Sequence, residues 1–262
     1  MKEIRSLISG LILSGIALAL VSTADAQTVN QGVAMVIRIK GAARCKVAGV
    51  WYPLKVGAAL NPGTLIQTEL TKGSYVDIIF GETNTPMPNF TASTLAYQPN
   101  AEQNVVRIWE DSALGIDKLT SIQTGSDVVT ETQLDLQRGH IFGKVKKMSA
   151  ASRYEVKIPN GVAGIRGTVY ELYALGLIRV LVGSAVMSFV GPDGQVRTQV
   201  VMGLQQYDAR TGELTPLPPP LLPGMEHTAH ELQVAPPVSP TPIVAPPSIN
   251  YVSPTVGQRP PG

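Results

Sequence analysis

Short runs of β-branched and alternating apolar residues recur along residues 27–215, and they constrain the fold more than any other feature of the sequence. A strand places every second side chain on the same face of a sheet, so such runs predict strands rather than helices. The predicted strands are Val33–Lys40, Thr64–Thr68, Tyr75–Phe80, Val105–Trp109, Gln133–Gln137, Ile141–Lys147, Tyr154–Ile158, Val169–Ala174, Ile178–Val182, Ala185–Val190 and Val196–Met202.

Turn-forming residues separate these runs at intervals of about 8 to 14 residues, a spacing typical of sandwiches, barrels and short solenoids. Glu110–Leu119 fits a strand and corner about as well as a helical turn. Ile178–Val182 is apolar on both faces, which predicts burial between layers. We therefore predict an all-β, twisted β-solenoid-like or sandwich-like domain. The turn signals are Gly57, Asn61-Pro62-Gly63, Lys72-Gly73, Arg138-Gly139, Asn160-Gly161, Pro192-Asp193-Gly194 and Thr211-Gly212.

The first 26 residues have the pattern of a secretory signal peptide. Lys2 and Arg5 precede an apolar run, Leu7–Val21, that is too short and too interrupted for a stable membrane anchor. Ala24-Asp25-Ala26 supplies the small residues of a cleavage site, which predicts cleavage between Ala26 and Gln27. The alternative is an uncleaved anchor helix. Cleavage would give an exported protein of the periplasm or the extracellular space, with no transmembrane anchor.

Proline marks the other end of the predicted domain, because 14 of the 21 prolines lie from Pro216 onward. Over residues 216–262 only Glu226, Glu231 and Arg259 carry a full charge, and no apolar periodicity is evident. This composition predicts a disordered or polyproline II tail. Such a tail would act as a spacer or docking segment, or else only as a solubilising extension.

Charge and cysteine content exclude several classes of function. The net charge of +2 provides no field to hold a polyanion, so we expect no nucleic-acid partner. Cys45 is the single cysteine, which excludes an intramolecular disulfide framework and a thiolate metal site. Its surroundings favour burial as a small apolar side chain, with a reactive or intermolecular thiol as the alternative.

Several motifs follow one another in an order that resembles the FecR domain family. The second half carries the stronger match, and its Arg166-Gly167-Thr168 core is fairly specific. The resemblance covers most of residues 33–208. The motifs that carry it are Gly41-Ala42-Ala43, Trp51-Tyr52-Pro53-Leu54-Lys55-Val56-Gly57, Leu60-Asn61-Pro62-Gly63-Thr64-Leu65-Ile66-Gln67-Thr68, Leu134-Asp135-Leu136-Gln137-Arg138-Gly139, Tyr154-Glu155-Val156-Lys157-Ile158-Pro159-Asn160-Gly161, Val162-Ala163-Gly164-Ile165-Arg166-Gly167-Thr168-Val169-Tyr170, Val180-Leu181-Val182-Gly183-Ser184-Ala185-Val186 and Met202-Gly203-Leu204-Gln205-Gln206.

The resemblance implies an all-β, twisted, solenoid-like domain of the bacterial envelope. In the best-known members, a cytoplasmic anti-sigma segment and a transmembrane helix precede this domain. The domain receives its signal from an outer-membrane TonB-dependent transporter through a partner domain. In this chain the predicted signal peptide occupies most of the sequence before the first predicted strand. We therefore expect an exported FecR-like protein that lacks the anti-sigma segment and the transmembrane helix.

Residue clusters that would carry chemistry are weak in this sequence. Gly161, Gly164 and Gly167 recur at every third residue, but β-rich sequence follows them instead of a helix, so we interpret them as tight corners rather than a phosphate loop. Gly164, Ile165, Arg166, Gly167 and Thr168 are predicted to be structural, with Arg166 as a clamp on backbone carbonyls or a carboxylate. A ligand contact is the alternative for Arg166.

Histidine is too scarce to suggest an active site. His227 and His230 flank Thr228-Ala229 in the predicted tail, where ligands would not be preorganised, so we predict no metal site. His140 is the only histidine of the predicted domain, and no nucleophile and base can be assigned. We predict no catalytic residue, no cofactor and no enzymatic activity. A carbohydrate-acting enzyme with two carboxylates remains an alternative.

Charged residues are sorted into two neighbouring strips along the sequence. The two strips could pair across adjacent strands or form two solvated faces. The sharper hypothesis is that the basic strip binds an anionic envelope polymer or an acidic partner domain. The acidic strip is Glu110, Asp111, Asp117, Asp127, Glu131 and Asp135, and the basic strip is Arg138, Lys144, Lys146, Lys147, Arg153 and Lys157.

The sequence therefore favours an exported, non-enzymatic envelope binding module. It would bind another envelope protein through exposed strand edges, as open β structures do. The main alternative is a structural, oligomerising component of the envelope.

Overall fold

The computed structural model describes residues 29–81, 104–125, 127–191 and 193–233. Strands dominate these residues, and a single α-helix follows them. The elements are β1 (Val29–Gln31), β2 (Val33–Lys40), β3 (Ala43–Val47), β4 (Val50–Pro53), β5 (Ala59–Leu60), β6 (Thr64–Thr68), β7 (Tyr75–Gly81), β8 (Asn104–Trp109), β9 (Ala113–Thr124), β10 (Asp127–Arg138), β11 (His140–Lys144), β12 (Arg153–Ile158), β13 (Gly161–Tyr173), β14 (Leu177–Val190), β15 (Val196–Met202), β16 (Gln205–Asp208), β17 (Glu213–Pro216), a 3₁₀ turn (Pro219–Leu221) and α1 (Leu222–Glu231).

The strands form one curled mixed sheet that folds over into two layers. Layer A has the order β4-β3-β6-β9-β10-β12-β13-β14-β15. Layer B has the order β5-β2-β7-β8-β11-β13-β14-β16-β17. The pair β10–β12 is parallel and the other pairs are antiparallel. The long strands β13 and β14 belong to both layers and connect them.

Glycines allow β13 and β14 to pass from one layer to the other. Gly167 and Gly183 have φ angles of 60° and 87°, which favour glycine, and a Cβ on Gly183 would collide with the carbonyl oxygen of Gly167. The β13–β14 register shifts at this point. The predicted strands Ile178–Val182 and Ala185–Val190 are therefore two halves of one strand, β14.

The prediction that Gly161, Gly164 and Gly167 all form corners between strands was wrong. All three lie within β13, and only Gly167 has a positive φ angle. Gly161 instead allows β13 and β14 to approach closely, because a Cβ there would collide with the carbonyl oxygen of Ser188 on β14.

The two layers enclose the main apolar core, and a second apolar cluster lies on the outer face of layer B. Alternation along β2 explains the division, because Ala34 and Val36 point into the main core while Met35 and Ile37 point outward. Cys45 is buried in the main core, as predicted for a small apolar side chain, and this burial raises the pKa of its thiol. The second cluster is Met35, Ile37, Ile79, Val105, Phe142, Leu181, Leu217, Met225 and Leu232.

The structure confirms the all-β prediction. Strands β2, β6 and β15 have the predicted bounds. The ambiguous stretch Glu110–Leu119 is a turn that leads into β9.

The prediction of a disordered tail from residue 216 was wrong for residues 216–233. Pro216 ends β17, and α1 packs on the second apolar cluster through Met225 and, just beyond its end, Leu232. Proline is tolerated here because Pro219 and Pro220 lie in the 3₁₀ turn and Pro223 is in the first turn of α1. Residues 234–262 and the predicted signal peptide lie outside the described residues.

Candidate binding surfaces

The outer face of layer A ends in an apolar patch that nothing among the described residues covers. Directly paired valines form it, with Val186 opposite Val200 and Val190 opposite Val196. These side chains keep large exposed fractions, from 43% for Val186 to 70% for Val196. We call the patch the valine face; its members are Val162, Val186, Val190, Val196, Val200 and Met202.

Strand β15 beside this patch is an edge strand, since among the described strands it pairs only with β14. Two glutamines occupy part of the open edge. The Gln205 side chain accepts a hydrogen bond from the Met202 amide at 2.9 Å, and the Gln199 side-chain amide donates to the Val200 carbonyl at 2.8 Å. Because backbone direction alternates along a strand, Thr198 also turns its N–H and C=O to the open edge.

Charged pairs occupy the middle of the same outer face. Lys157 contacts Asp117 at 2.9 Å, and Lys118 contacts Glu131 at 2.6 Å. The hydrogen bond and charge of Asp117 raise the pKa of Lys157. The two strips therefore meet here only at Lys157 and Asp117, since Lys118, the partner of Glu131, lies outside the basic strip.

The predicted basic strip is not one surface. Tyr154 and Val156 point into the main core, so Arg153 and Lys157 point outward from layer A. Lys144 lies two residues after Phe142 of the second cluster and so points to the same, outer side of layer B, where burial lowers its pKa. Strand alternation places these residues on opposite sides of the molecule, a separation that sequence distance alone does not reveal.

The other members of the basic strip contact residues of the same molecule close to them. Arg138 forms an ion pair with Asp111 at 2.9 Å, and Arg153 lies 3.5 Å from Glu155. Lys146 follows β11, where its amide donates to Asn104 at 2.9 Å, and Lys147 packs beside Gly167.

The Arg-Gly-Thr motif lies where β13 crosses between the layers. Arg166 Nη2 donates to the Met148 carbonyl at 3.1 Å. The buried Thr168 hydroxyl lies 2.6 Å from the Ser184 carbonyl and accepts from the Ser184 amide at 3.2 Å. Gly164 and Ile165 continue β13 on either side of the sheet, with Ile165 in the main core. The motif holds two bent strands together.

Helix α1 covers a buried ionic cluster on the outer side of layer B. Arg107 binds Asp77 in a bidentate manner, at 2.8 Å and 3.0 Å, and Arg38 contacts Asp77 at 3.1 Å. Arg107 also binds Glu231 of α1 at 2.5 Å. Asp77 and Arg107 are almost fully buried. Burial raises the pKa of Asp77, although both guanidinium groups oppose this.

A row of aromatic rings continues from this cluster across neighbouring strands. Trp109 of β8 stacks on His140 of β11 at 5.9 Å, and His140 stacks on Tyr173 of β13 at 4.6 Å. Burial lowers the pKa of His140, and Glu171 at 3.9 Å opposes this. Burial also raises the pKa of Tyr173 to about 12.

A cavity of about 320 Å³ lies between this aromatic row and α1. Trp109 and Tyr173 line it on the sheet side, and Leu221 and Met225 line it on the helix side. The indole N–H of Trp109 is buried and has no hydrogen-bond partner among the described residues.

The described residues offer little support for catalysis or metal binding. Asp117 and Asp135 both lie beside Gly115, but on the open outer face of layer A. No group of three or more potential metal ligands occurs within residues 29–81, 104–125, 127–191 and 193–233. His227 lies 3.4 Å from Glu231, whose carboxylate also binds Arg107. No helix in the described part of the chain is long and apolar enough to span a membrane.

Sequence reasoning missed the valine face, the Asp77–Arg107 pair and α1. Alternation in Val196–Met202 was a usable signal for the valine face, since Val196, Val200 and Met202 fall on one side of that strand. No local sequence pattern reveals the Asp77–Arg107 pair, because 30 residues separate its partners along the chain.

Comparisons with known proteins agree with the motifs. Two crystal structures of a candidate anti-sigma factor from Parabacteroides distasonis ATCC 8503, at 2.50 Å and 1.65 Å resolution, each show 13% identity, a TM-score of 0.32 and coverage of 47% of this chain. The match spans about half of those chains, 55%. No curated protein matches the chain. The family model described as FecR protein matches residues 98–185, which include the Arg-Gly-Thr motif, and this confirms the resemblance of the chain to the FecR family.

Proposed function

We propose that this protein is an exported, non-enzymatic binding module of the bacterial envelope that takes an extended segment of a partner protein onto strand β15. The observation that carries the proposal is the valine face beside an open sheet edge. The pattern of the first 26 residues and the FecR resemblance support the location.

The open edge supports strand addition as the mode of binding. Val196, Thr198 and Val200 direct backbone groups away from β14, and an added strand would pair with them. The side chains of Gln199 and Gln205 occupy two edge positions and would rotate away. Side-chain hydrogen bonds of this kind protect a sheet edge against non-specific strand pairing, and they can still be replaced by a specific partner strand.

The valine face defines the chemistry of the partner segment. An added strand would place every second side chain beside Val196 and Val200, so apolar or β-branched residues at alternate positions would extend the apolar patch. The charged pairs of layer A are already matched within the molecule. The proposed partner is therefore a protein strand rather than an anionic polymer, which would need the basic residues on one surface.

The test is site-specific photo-crosslinking in the native host. A benzophenone side chain replaces Val200 in one full-length variant and Val50 in a matched control, since Val50 is an equally exposed valine on the distant strand β4. We expect a discrete adduct with a second polypeptide at position 200 and none at position 50.

Two further substitutions check the mode of binding. Thr198→Pro removes one N–H from the open edge without removing a bond to β14, and Val186→Lys places a charge on the valine face. Each is expected to reduce the adduct at least tenfold in a chain that remains folded. Absence of an adduct at position 200, or an adduct insensitive to both substitutions, would overturn the proposal.

Self-assembly is the second candidate, because β15 is equally open to β15 of another copy. Light scattering of the full chain distinguishes the two. A monomer at all concentrations supports a heterologous partner, whereas a concentration-dependent series of oligomers that Thr198→Pro abolishes would assign the edge to a structural role.

A further inference from the structure

Helix α1 has a sequence that is poorly suited to form a helix alone. It has ten residues, fewer than the roughly 12–15 that an isolated helix needs in water. No side chain caps its N-terminus. Gly224 and the β-branched Thr228 lie in its interior, and both are weak helix formers. The helix therefore depends on its contacts with layer B.

The groove that holds α1 is apolar along most of its length. Phe142, Val105 and Leu181 lie on its floor, and Met225 and Leu232 fill it from the helix side. Packing is incomplete, since the cavity of about 320 Å³ remains between Trp109 and the N-terminal half of α1. The groove thus has room that this helix does not use.

The other end of the groove carries a net positive charge. Arg38 and Arg107 supply two positive charges and Asp77 one negative charge, and the Glu231 carboxylate provides the balance. The largest influence on Glu231 is partial burial, which would raise its pKa, but the hydrogen bond and charge of Arg107 outweigh it and lower the pKa. One carboxylate therefore anchors the helix at this end.

We propose that the groove on layer B is a helix-binding site, which α1 occupies within the same chain and which an amphipathic helix of a protein partner takes by displacing α1. Charge complementarity defines the partner. Its helix carries apolar residues at the positions of Leu221, Met225 and Leu232 and a carboxylate at the position of Glu231. A bulkier apolar residue at the N-terminal position would fill the cavity beside Trp109.

A peptide of residues 217–233 with a fluorescein label at its N-terminus probes this site in trans. In the wild-type full chain, α1 is tethered beside its groove, so its high effective concentration weakens the binding of a free peptide. The full-length variant Met225→Asp/Leu232→Asp cannot bury its own helix. We expect the peptide to bind this variant with a dissociation constant at least tenfold lower than for the wild-type chain, by fluorescence anisotropy.

Peptide variants test the anchor. Glu231→Gln in the peptide is expected to weaken binding at least tenfold, and the matched control Glu226→Gln, which changes an exposed carboxylate of the same helix, leaves binding within twofold. Circular dichroism establishes that the full-length variant keeps its strands. Should it not fold, the full-length variant Glu231→Gln retains the apolar contacts and is expected to bind the wild-type peptide more tightly than the wild-type chain does.

Equal binding of the peptide to the wild-type chain and to a folded variant would overturn the proposal, as would a Glu231→Gln peptide that binds as well as the wild-type peptide. A wild-type dimer that Leu232→Asp abolishes would assign the groove to a second copy instead. The β15 substitutions leave these outcomes unchanged, since the valine face and the groove lie on opposite layers.

Discussion

The outer faces of the two layers consist of the same kind of strand, but a helix covers the apolar residues on only one of them. On layer B, α1 covers the apolar residues, and the buried Arg107 meets the buried Asp77 and the partly buried Glu231. On layer A, the valine face stays exposed and the ion pairs lie in solvent. The apolar surface of layer B therefore stabilises the fold, whereas the apolar surface of layer A stays accessible to a binding partner.

Arg107→Ala is expected to produce the largest loss, because it leaves the buried Asp77 carboxylate without its main partner. Breaking a buried ion pair in this way costs about 3–5 kcal/mol of unfolding free energy. Urea denaturation followed by tryptophan fluorescence measures it. The double variant Asp77→Leu/Arg107→Met removes both charges and is expected to lose less than Arg107→Ala does. A double variant less stable than the single one would contradict this account of layer B.

Leu232→Ala comes next, because Leu232 is buried in the cluster beneath α1. Truncation of a buried leucine costs about 2–5 kcal/mol, and a site at the end of a helix belongs near the lower limit. The matched change on layer A, Val200→Ala, is expected to cost less than about 0.5 kcal/mol, since Val200 is 48% exposed. Equal losses in urea denaturation would remove the distinction between a covered and an open face.

Acidification should weaken layer B through His140. Burial lowers the pKa of His140 in the folded protein below the ordinary value of 6.5. The unfolded chain therefore binds the proton first, and stability falls as the pH drops from above 6.5 toward the folded-state pKa. Glu171 and Glu110 oppose the shift and Arg179 reinforces it. We expect a lower melting temperature at pH 5.5 than at pH 7.5.

The control for this effect is His140→Phe, which keeps a ring between Trp109 and Tyr173 but cannot be protonated. Its melting temperature is expected to change less between the two pH values than that of the wild-type chain. The same drop in both proteins would place the acid sensitivity elsewhere in the molecule.

Lys157→Ala on layer A should have the smallest effect. Its ion pair with Asp117 is solvent-exposed, and pairs of this kind contribute at most about 1 kcal/mol and weaken as salt is added. Denaturation at low and high salt measures the difference, which should diminish at high salt. A loss comparable to that of Arg107→Ala would mean that the two faces do not differ in how they use charge.

Local sequence predicted the strands well, because alternation and turn glycines are local signals. β2 and β15 have the predicted bounds, whereas β13 and β14 run through their glycines because Gly167 and Gly183 bend the strands without ending them. Non-local features were out of reach. The Asp77–Arg107 pair depends on β7 and β8 lying side by side, and the separation of Lys144 from Lys157 depends on which layer each strand joins.

Helix α1 shows why composition misled the prediction. Prolines and the scarcity of charge indicated a tail, but Leu221, Met225 and Leu232 recur at intervals that place them on one side of a helix. Its helical state depends on layer B rather than on local propensity. A fragment that ends at residue 215 would therefore expose the second apolar cluster, and oligomers of such a fragment would report on that exposure rather than on β15.

The burial of Cys45 gives this molecule an internal reporter. Its thiol is the only one in the sequence, it lies in the core between the layers, and its raised pKa further slows reaction of the folded state. A thiol reagent would therefore modify the protein only when β3 separates from its neighbours. The labelling rate in dilute reagent measures how often this part of layer A opens, and it does so beside the β4 edge, at the opposite end of the layer from β15, without an added probe.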